Sequence, residues 1–220
     1  MIPHPRVLLL PLCLFLLGHI SIAQAQSCST PVQVSAATGA HSPAMRVGRD
    51  GTVYISWFQA NADIYFSRSA DGGLTFTQPV RVSRQVTTNQ WTSLLQRAPE
   101  FVIDTRGTLH MVWMEARLND PKTGAAQSDI WYARSTDQGA TWSQAQSIMD
   151  PDDSQKYAQD FPAIACDSSD NLYVSYLDNR YLVRRTDRHY RMHLTRSTDG
   201  GASWSLPVIA DKLPMSPGGT

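Results

Sequence analysis

The sequence predicts an all-β fold, a β-propeller made of four-stranded antiparallel blades. The first observation is an octapeptide that recurs three times, as SADGGLTF at 69–76, STDQGATW at 135–142 and STDGGASW at 197–204. The second is that similar strand-like segments, separated by turn residues, surround every copy. The third is that no stretch has a sustained helical period. Repeats of about 60 residues with four antiparallel strands are typical of propeller blades, whereas a β-sandwich would not repeat a turn octapeptide at this spacing.

The four strand segments have counterparts in successive units. The first strand reads PAMRV, PEFVI and PAIAC at 43–47, 99–103 and 162–166. The second reads TVYISWF, TLHMVWM and NLYVSYL, which are rich in β-branched and aromatic residues. The third reads DIYFSRS, DIWYARS and RMHLTRS, and a fourth follows the octapeptide, as in QPVRVS (78–83) and LPVIA (206–210). We therefore expect blades at about 41–83, 97–149 and 160–210, with a tail at 211–220 that leads to a further blade.

The residues before the blades are typical of a secretory signal peptide. Arg6 gives a basic start, residues 7–18 are apolar, and Ala23-Gln24-Ala25 is a small-residue cleavage pattern. We expect cleavage after Ala25, which leaves a mature chain of residues 26–220 that is secreted or periplasmic. A lipid anchor on Cys28 is disfavoured, because Ala25 stands where such signals usually carry Leu.

Composition argues against several classes of function. The 19 basic and 19 acidic residues balance, so bulk charge gives no support to nucleic-acid binding. No second apolar run is long enough to span a membrane. Cys28 and Cys166 either pair in an oxidising compartment or remain one terminal and one buried thiol. We expect no cofactor; the acidic run at 150–153, which could attract calcium, lacks the alternating ligands of a dedicated calcium loop.

The octapeptide lies between the third and fourth strands, where a hairpin must close. Its aspartates are expected to accept hydrogen bonds from backbone N–H groups two or three residues on, and its glycines to supply the positive φ of the turn. Its aromatic residues are expected to start the fourth strand and to pack against the neighbouring sheet. We therefore predict that the motif is structural rather than catalytic at Ser69, Asp71, Gly73, Phe76, Ser135, Asp137, Gly139, Trp142, Ser197, Asp199, Gly201 and Trp204.

The strand order places these octapeptides and the 1–2 turns on one side of each blade. The 2–3 loops and the links between blades lie on the other side, which we call the loop side. Two loops there open with an acid-x-Arg pattern, Glu115-Ala116-Arg117 and Asp178-Asn179-Arg180, and the second continues into an Arg-rich and Tyr-rich run to residue 191. Such groups either bind an anionic glycan or form local ion pairs in solvated loops. The candidate ligand-binding residues are Glu115, Asp178, Arg180, Tyr157 and Asp160.

The octapeptide resembles the Asp-box, or bacterial neuraminidase repeat, of the sialidase superfamily. The second copy matches S-x-D-x-G-x-T-W at every fixed position, and the resemblance covers about residues 31–210. Sialidases open a blade with Phe-Arg-Ile-Pro, a strand ending in Glu-Gly-Arg and then an Asp-box. Here Gln96-Arg97-Ala98-Pro99 and Glu115-Ala116-Arg117 precede STDQGATW, although another blade comes first and the flanking Phe and Ile are missing.

The resemblance implies a six-bladed propeller and an exo-glycosidase acting on sialylated or related glycans. It implies that Arg97 clamps the sugar carboxylate, that Arg117 lines the same pocket and that Asp120 is the general acid. The family's tyrosine nucleophile, its partner glutamate and two further arginines come from later blades, which are not in this sequence. The alternative is a non-catalytic Asp-box propeller that binds carbohydrate or protein.

Three blades do not close a ring, because propellers have at least about four. The segment 31–35 resembles the fourth-strand segment 79–83, but the third unit already has its own fourth strand. We therefore predict an unpaired outer strand at about 31–35 and two open sheet edges. Further blades, from the same chain or from a partner chain, are expected to complete the ring.

Overall fold

The structure is a computed structural model, which describes residues 30–35, 38–59, 63–83, 96–117, 127–148, 157–180 and 190–211. The chain divides into two compact units, Met1–Pro31 and Val32–Thr220. Several features named in the sequence analysis lie outside the described residues. They are the predicted signal peptide, Cys28, Asp120, the acidic run at 150–153, the loop at 181–189 and the tail from 212.

The described residues of the second unit are organised as twelve strands and no helix. Blade one contains β1 (Ala40–Val47), β2 (Val53–Gln59), β3 (Asp63–Ser69) and β4 (Val80–Arg81). Blade two contains β5 (Gln96–Ile103), β6 (Leu109–Arg117), β7 (Gln127–Ser135) and β8 (Gln146–Ser147). Blade three contains β9 (Gln159–Cys166), β10 (Leu172–Asp178), β11 (Arg191–Ser197) and β12 (Val208–Ile209).

Each blade is one four-stranded antiparallel sheet whose strands are neighbours in the order of the sequence. Alternating β-branched and aromatic residues favour these strands, and the turns between them carry Gly, Asp and Asn. This architecture confirms the prediction of an all-β propeller with three blades. Residues 30–35 carry no assigned strand, and the Ser35 hydroxyl donates to Gln59 Oε1 at 3.0 Å.

The fourth strands are shorter than the predicted segments 78–83 and 206–210. Only two residues of each pair with the third strand, at Val80–Arg81 and Val208–Ile209. Pro79 and Pro207 interrupt the ladder because proline has no N–H to donate. Single hydrogen bonds flank the short strands, such as that from Val82 N to Ile64 O at 2.8 Å.

The first strand of every blade has a bulge next to a proline. The pairing shifts between His41 and Ala44, between Arg97 and Glu100, and between the equivalent positions of β9. Pro43, Pro99 and Pro162 occupy these bulges, where a missing N–H costs no ladder bond.

Side chains alternate across each sheet, so every blade has two faces. We call the face towards the preceding blade the leading face and the face towards the next blade the trailing face. One core joins the trailing face of blade one to the leading face of blade two, with Tyr54, Ile64, Phe66, Phe101, Met111 and Trp113 among its buried members. A second core joins blades two and three, with Val112, Ile130, Tyr132, Leu172, Val174 and Tyr176 among its buried members. The hydrophobic core of this protein therefore lies between the blades.

The repeated octapeptide, which we call the Asp-box after the motif that it resembles, forms a closed set of hydrogen bonds in all three copies. In the second copy, the Ser135 hydroxyl donates to Asp137 Oδ1 at 2.7 Å and accepts from Gly139 N at 2.8 Å. Asp137 Oδ1 also accepts from Thr141 N at 2.9 Å, and Oδ2 accepts from the Thr141 hydroxyl at 2.5 Å. The same bonds hold Asp71 and Asp199. The motif is structural in this arrangement.

Two details of the predicted motif were wrong. The aspartate binds the N–H four residues on, rather than two or three, because the serine hydroxyl already takes the N–H of the glycine. The aromatic residue does not start the fourth strand; Trp142 precedes β8 (Gln146–Ser147) by four residues because the chain first turns towards the preceding blade. The prediction of positive φ at the glycine was confirmed, with 92° at Gly73, 86° at Gly139 and 84° at Gly201.

The Asp-boxes of blades two and three also join neighbouring blades. The Trp142 ring packs edge-on against Phe66 of blade one, with ring centroids 5.2 Å apart. Trp204 packs in the same way against Tyr132 of blade two, also at 5.2 Å. A Cβ at Gly139 would lie 1.9 Å from the Phe66 ring, so a side chain is excluded there. Packing of the aromatic residue on the neighbouring sheet, as predicted, is thus confirmed for Trp142 and Trp204; Phe76 of the first copy is half-buried.

We predict that Gly139→Ala destabilises the protein much more than Gly107→Ala. Both glycines have nearly the same φ, 86° and 84°, so the backbone strain of a side chain is matched. A Cβ at 107 has nothing within 4 Å, whereas a Cβ at 139 overlaps the Phe66 ring. We expect an additional loss of about 1–3 kcal/mol in the free energy of unfolding, measured by urea denaturation. Equal losses for the two variants would contradict a role for this contact.

We predict that Asp137→Ala destabilises the protein at neutral pH by about 1–3 kcal/mol, because donors of the turn lose their acceptor. Hydrogen bonds from the Thr141 hydroxyl, the Thr141 N–H and the Ser135 hydroxyl lower the pKa of Asp137 from 3.8 to about 2. A lowered carboxyl pKa stabilises the fold above the unfolded value and loses that effect as pH falls. The stability difference between wild type and variant should therefore shrink between pH 3.8 and about 2.

Thermal unfolding across this pH range measures the effect. Asp137→Asn is the control, because its amide oxygen still accepts the Thr141 N–H while the titrating group is gone. A difference between wild type and Asp137→Ala that stays constant down to the lowest pH would be inconsistent with the hydrogen bonds described.

Candidate functional site

The first strands of the three blades adjoin one another, so they line the centre of the propeller. Arg46 Nη2 of β1 lies 3.0 Å from Glu100 Oε2 of β5. The Cys166 thiol of β9 donates to Ile103 O of β5 at 3.5 Å. The fourth strands pair only with the third strands and lie outermost. The start of each first strand and the end of each second strand therefore meet near the centre, on the loop side.

A buried carboxylate lies at this position in blade three. Asp178 is the last residue of β10, is fully buried and pairs in register with Gln159 of β9. Its Oδ2 accepts from Arg180 Nη2 at 2.8 Å and from Gln159 Nε2 at 3.2 Å. Its Oδ1 accepts from the Arg180 backbone N–H at 2.7 Å. Of the two alternatives for the acid-x-Arg pattern, the local ion pair is therefore present in blade three.

The same ion pair is in contact with an aromatic ring and a fixed loop. The Arg180 guanidinium carbon lies 5.8 Å from the centre of the Tyr157 ring, within the range of a cation–π contact. Asn179 holds the adjoining backbone, because its Oδ1 accepts from Ala158 N at 2.7 Å and its N–H donates to Ala158 O at 3.2 Å. The Arg180 side chain is 19% exposed, so this cluster reaches solvent.

His193 extends the cluster into the blade. Its Nδ1 lies 3.9 Å from Asp178 Oδ2, and its ring stacks on Tyr176 with centroids 5.6 Å apart. Burial lowers the pKa of His193 below its ordinary value, and the Asp178 carboxylate opposes this shift. The imidazole is therefore neutral at neutral pH, and Asp178 has Arg180 as its cationic partner.

Asp160 connects blade three to blade two. Its Oδ1 accepts from the Ser128 hydroxyl of β7 at 3.3 Å, beside a parallel bridge between Ser128 and Ala158. Of the predicted ligand-binding residues, the structure thus brings Asp178, Arg180 and Tyr157 into one cluster and places Asp160 at the adjoining junction.

The strand-end position that Asp178 occupies also holds a buried polar residue in the other two blades. In blade two it is Glu115, which is 2% exposed and pairs in register with Gln96. In blade one it is Gln59, whose Oε1 accepts from Trp57 Nε1 at 3.2 Å and whose Nε2 donates to Thr38 O at 2.5 Å. All three are buried, so the position has a structural role in every blade.

The structure places the backbone of two of the three predicted catalytic residues. Arg97 is the second residue of β5 and pairs with Met114, and Arg117 is the last residue of β6 and pairs with Gln127. Both positions belong to the loop-side end of the blade-two sheet, next to Glu115. Asp120 lies outside the described residues. The three assignments therefore stay predictions.

Sequence reasoning missed Gln159, Asn179 and His193. Gln159 could have been found from Gln96, since both stand three residues before the first-strand proline. His193 is the third residue of β11 and gives no motif signal, because its neighbour Tyr176 comes from another strand.

A cleft of about 680 Å³ opens on the Asp-box side, between the 1–2 turns of the three blades. Its lining includes Arg106, whose Nη2 lies 3.0 Å from Asp104 Oδ2 and whose Nε lies 3.4 Å from Asp170 Oδ2. Because these charges pair with one another to hold turns, we place the candidate site on the loop side instead.

The described residues contain no helix with the length and apolar character needed to cross a membrane. Nor do these residues bring three or more His, Cys, Asp or Glu side chains together as metal ligands.

Several solved structures resemble this chain in fold at low sequence identity. An ulvan lyase of polysaccharide lyase family PL25, bound to -[GlcA(1-4)Rha3S]-, is 11% identical over 76% of this chain and 42% of its own, with a TM-score of 0.58. The Hadza microbial sialidase Hz136 is 18% identical over 76% and 36%, with a TM-score of 0.55. Zg3597, a family 117 glycoside hydrolase from the marine bacterium Zobellia galactanivorans, is 11% identical over 76% and 54%, with a TM-score of 0.52.

These similarities support the propeller fold. They do not indicate a substrate or a reaction for this chain. The chain spans less than half the length of the ulvan lyase and of the sialidase that it matches. No protein-family model matches the sequence, and no curated protein sequence matches it either.

We predict that Asp178→Asn lowers the free energy of unfolding by about 2–3 kcal/mol, because it leaves the half-buried Arg180 without its anionic partner. Glu100→Gln is the matched control. Glu100 also pairs with an arginine at 3.0 Å, but its side chain is 35% exposed. Its loss should stay below about 1 kcal/mol. Urea denaturation of both variants measures the difference, and equal effects would show that burial of Asp178 adds nothing.

Proposed function

We propose that this chain is part of an exported carbohydrate-active protein that binds a glycan on its loop side. The proposal is carried by the cluster of Asp178, Arg180 and Tyr157. A buried carboxylate orients a partly exposed guanidinium, and an aromatic ring lies beside it. A guanidinium fork suits a sugar carboxylate or sulfate, and an aromatic ring suits the apolar face of a pyranose. Export rests on the leader at 1–25.

In its finer form, the proposal is a sialidase-type exo-glycosidase acting on sialylated or related glycans. Arg97 and Arg117 then bind the sugar carboxylate, and Asp120 donates a proton to the leaving oxygen. The nucleophilic tyrosine, its partner glutamate and the remaining arginines come from blades beyond these three. The resemblance of STDQGATW and its flanking motifs to sialidase blades supports this form.

A non-catalytic glycan- or protein-binding propeller is the second candidate. The observation that favours it is the recurrence of a buried polar residue at Gln59, Glu115 and Asp178. Gln59 carries a neutral amide, so a residue at this position can fix the adjoining loop by hydrogen bonds without carrying a charge. In this form Arg180 and Tyr157 bind a glycan, and no residue of the chain reacts with it.

We predict that Arg180→Ala weakens binding of sialyllactose at least about tenfold, because a charge-assisted pair with the sugar carboxylate is lost. Isothermal titration of the protein expressed from its full sequence measures this. Arg49→Ala, an exposed arginine on the Asp-box side, is the matched control and should leave binding unchanged. The unfolding midpoint of each variant shows whether the site remains folded. Equal binding by the two variants would contradict the proposed site.

Turnover of a fluorogenic sialoside, assayed on a protein that includes the further blades, separates the two candidates. Hydrolysis that is lost in Arg97→Ala and in Asp120→Asn supports the exo-glycosidase. Binding that depends on Arg180, without turnover, supports the non-catalytic module.

A further inference from the structure

The segment at 157–160, which leads into β9, is attached to blade two. Ala158 forms a parallel bridge with Ser128 of β7. Asp160 Oδ1 accepts from the Ser128 hydroxyl at 3.3 Å. One side of the segment is therefore held by the neighbouring blade, close to the ion pair at the end of β10.

Asn179 attaches the same segment to blade three. Its side-chain Oδ1 accepts from Ala158 N at 2.7 Å, and its backbone N–H donates to Ala158 O at 3.2 Å. The ladder between β9 and β10 ends just before this point, where Gln159 pairs with Asp178. The amide oxygen of Asn179 therefore takes the place of a strand carbonyl, because it accepts the N–H that follows the end of the ladder.

The other two blades show that this amide is not needed to build a blade. The residue after the buried strand-end position is Ala60 in blade one and Ala116 in blade two, and alanine has no side-chain group that forms hydrogen bonds. Both blades are nevertheless four-stranded sheets with the same strand order as blade three. The side chain of Asn179 therefore has a role that is particular to blade three.

The residues on either side of this contact are the two that meet in the candidate site. Tyr157 precedes Ala158, and Arg180 follows Asn179. The Arg180 guanidinium carbon lies 5.8 Å from the centre of the Tyr157 ring. Because two hydrogen bonds join Ala158 to Asn179, and the shorter comes from the Asn179 side chain, this contact sets the spacing of the ring and the guanidinium.

We infer that Asn179 is a positioning residue of the candidate glycan site. It holds Tyr157 beside Arg180, so that one anionic sugar meets the ring and the guanidinium together. This inference rests on the proposed function, which it deepens. A ring that is already in place loses less conformational freedom when a ligand binds, so the ligand binds more tightly. Asn179 does not contact the sugar; it acts through Tyr157, whereas Asp178 orients Arg180.

The first test is the affinity of Asn179→Ala for sialyllactose. Isothermal titration of a protein that includes the further blades measures it. We expect a loss of about threefold to tenfold, because the segment of Tyr157 must then become ordered when the sugar binds. The variant should fold, since alanine stands at this position in blades one and two.

A double-mutant cycle separates positioning from a general loss of structure. Tyr157→Leu removes the ring through which Asn179 acts. In that background Asn179→Ala should cause no further loss of affinity, since the two changes affect one interaction. A merely structural role would leave the effect of Asn179→Ala intact, because the guanidinium of Arg180 would still be displaced.

Asn171→Ala is the matched control. Asn171 belongs to the same blade, and its side chain also holds a neighbouring residue, donating from Nδ2 to Asp167 Oδ2 at 2.8 Å, but it lies on the Asp-box side. It should lower the unfolding midpoint without changing the affinity. Equal losses of affinity in Asn171→Ala and Asn179→Ala would overturn the inference, because they would follow from stability alone.

The remaining outcomes distinguish this inference from the proposed function. Binding that depends on Arg180 but is unchanged in Asn179→Ala overturns the inference and leaves the proposed function in place. A loss in Asn179→Ala that persists in the Tyr157→Leu background does the same. An absence of sialyllactose binding by the wild-type protein, or binding indifferent to Arg180, overturns the proposed site and the role of Asn179 with it.

Discussion

Each junction between blades depends on one close contact, in which a glycine of an Asp-box lies against a ring on the third strand of the preceding blade. The carboxylate of the motif does not touch that ring. It holds the loop through bonds to the hydroxyl and N–H of Thr141, so that Gly139 meets Phe66 with a positive φ. A side chain at the glycine would separate the blades, and loss of the carboxylate would release the loop. Local hydrogen bonding and packing between blades are therefore one interaction, which explains why the octapeptide recurs with so little change.

The two junctions use the same geometry with different chemistry. At the first, the Phe66 ring packs edge-on against Phe101 and Trp142 of blade two, with ring centroids 6.1 and 5.2 Å apart. At the second, the Tyr132 hydroxyl lies 2.7 Å from His110 Nδ1 and 3.1 Å from Gly200 O, and His110 Nε2 is 3.4 Å from Asp104 Oδ2. Burial lowers the pKa of His110 and raises the pKa of Tyr132, so both groups are neutral at neutral pH. A buried polar chain of this kind is stable only when each member has a partner, and it makes the second junction specific for its own blade.

The two sides of the blades differ in how their charged and polar residues are arranged. On the Asp-box side, charges pair within a turn or with the adjoining blade, as Arg106 does with Asp104 and Asp170. On the loop side, the buried position at the end of the second strand changes from an amide in blade one to carboxylates in blades two and three. Equivalent backbone positions with unequal side chains allow one face of a repeated fold to become a specific site. Asp178 illustrates this, because it orients Arg180 beside Tyr157.

The sequence by itself determined the fold class, the three blades that the structure describes and the structural role of the Asp-box, because strand alternation and turn chemistry act over a few neighbouring residues. It also offered an ion pair between Asp178 and Arg180 as one of two interpretations, since they are two residues apart. It could not show that Gly139 and Phe66 touch, that Gln159 and His193 surround Asp178, or that Asp160 meets Ser128, because these contacts join residues from different strands or blades. Only the tertiary structure decided them, since the register of the sheets and the packing of one blade on the next set which distant side chains meet.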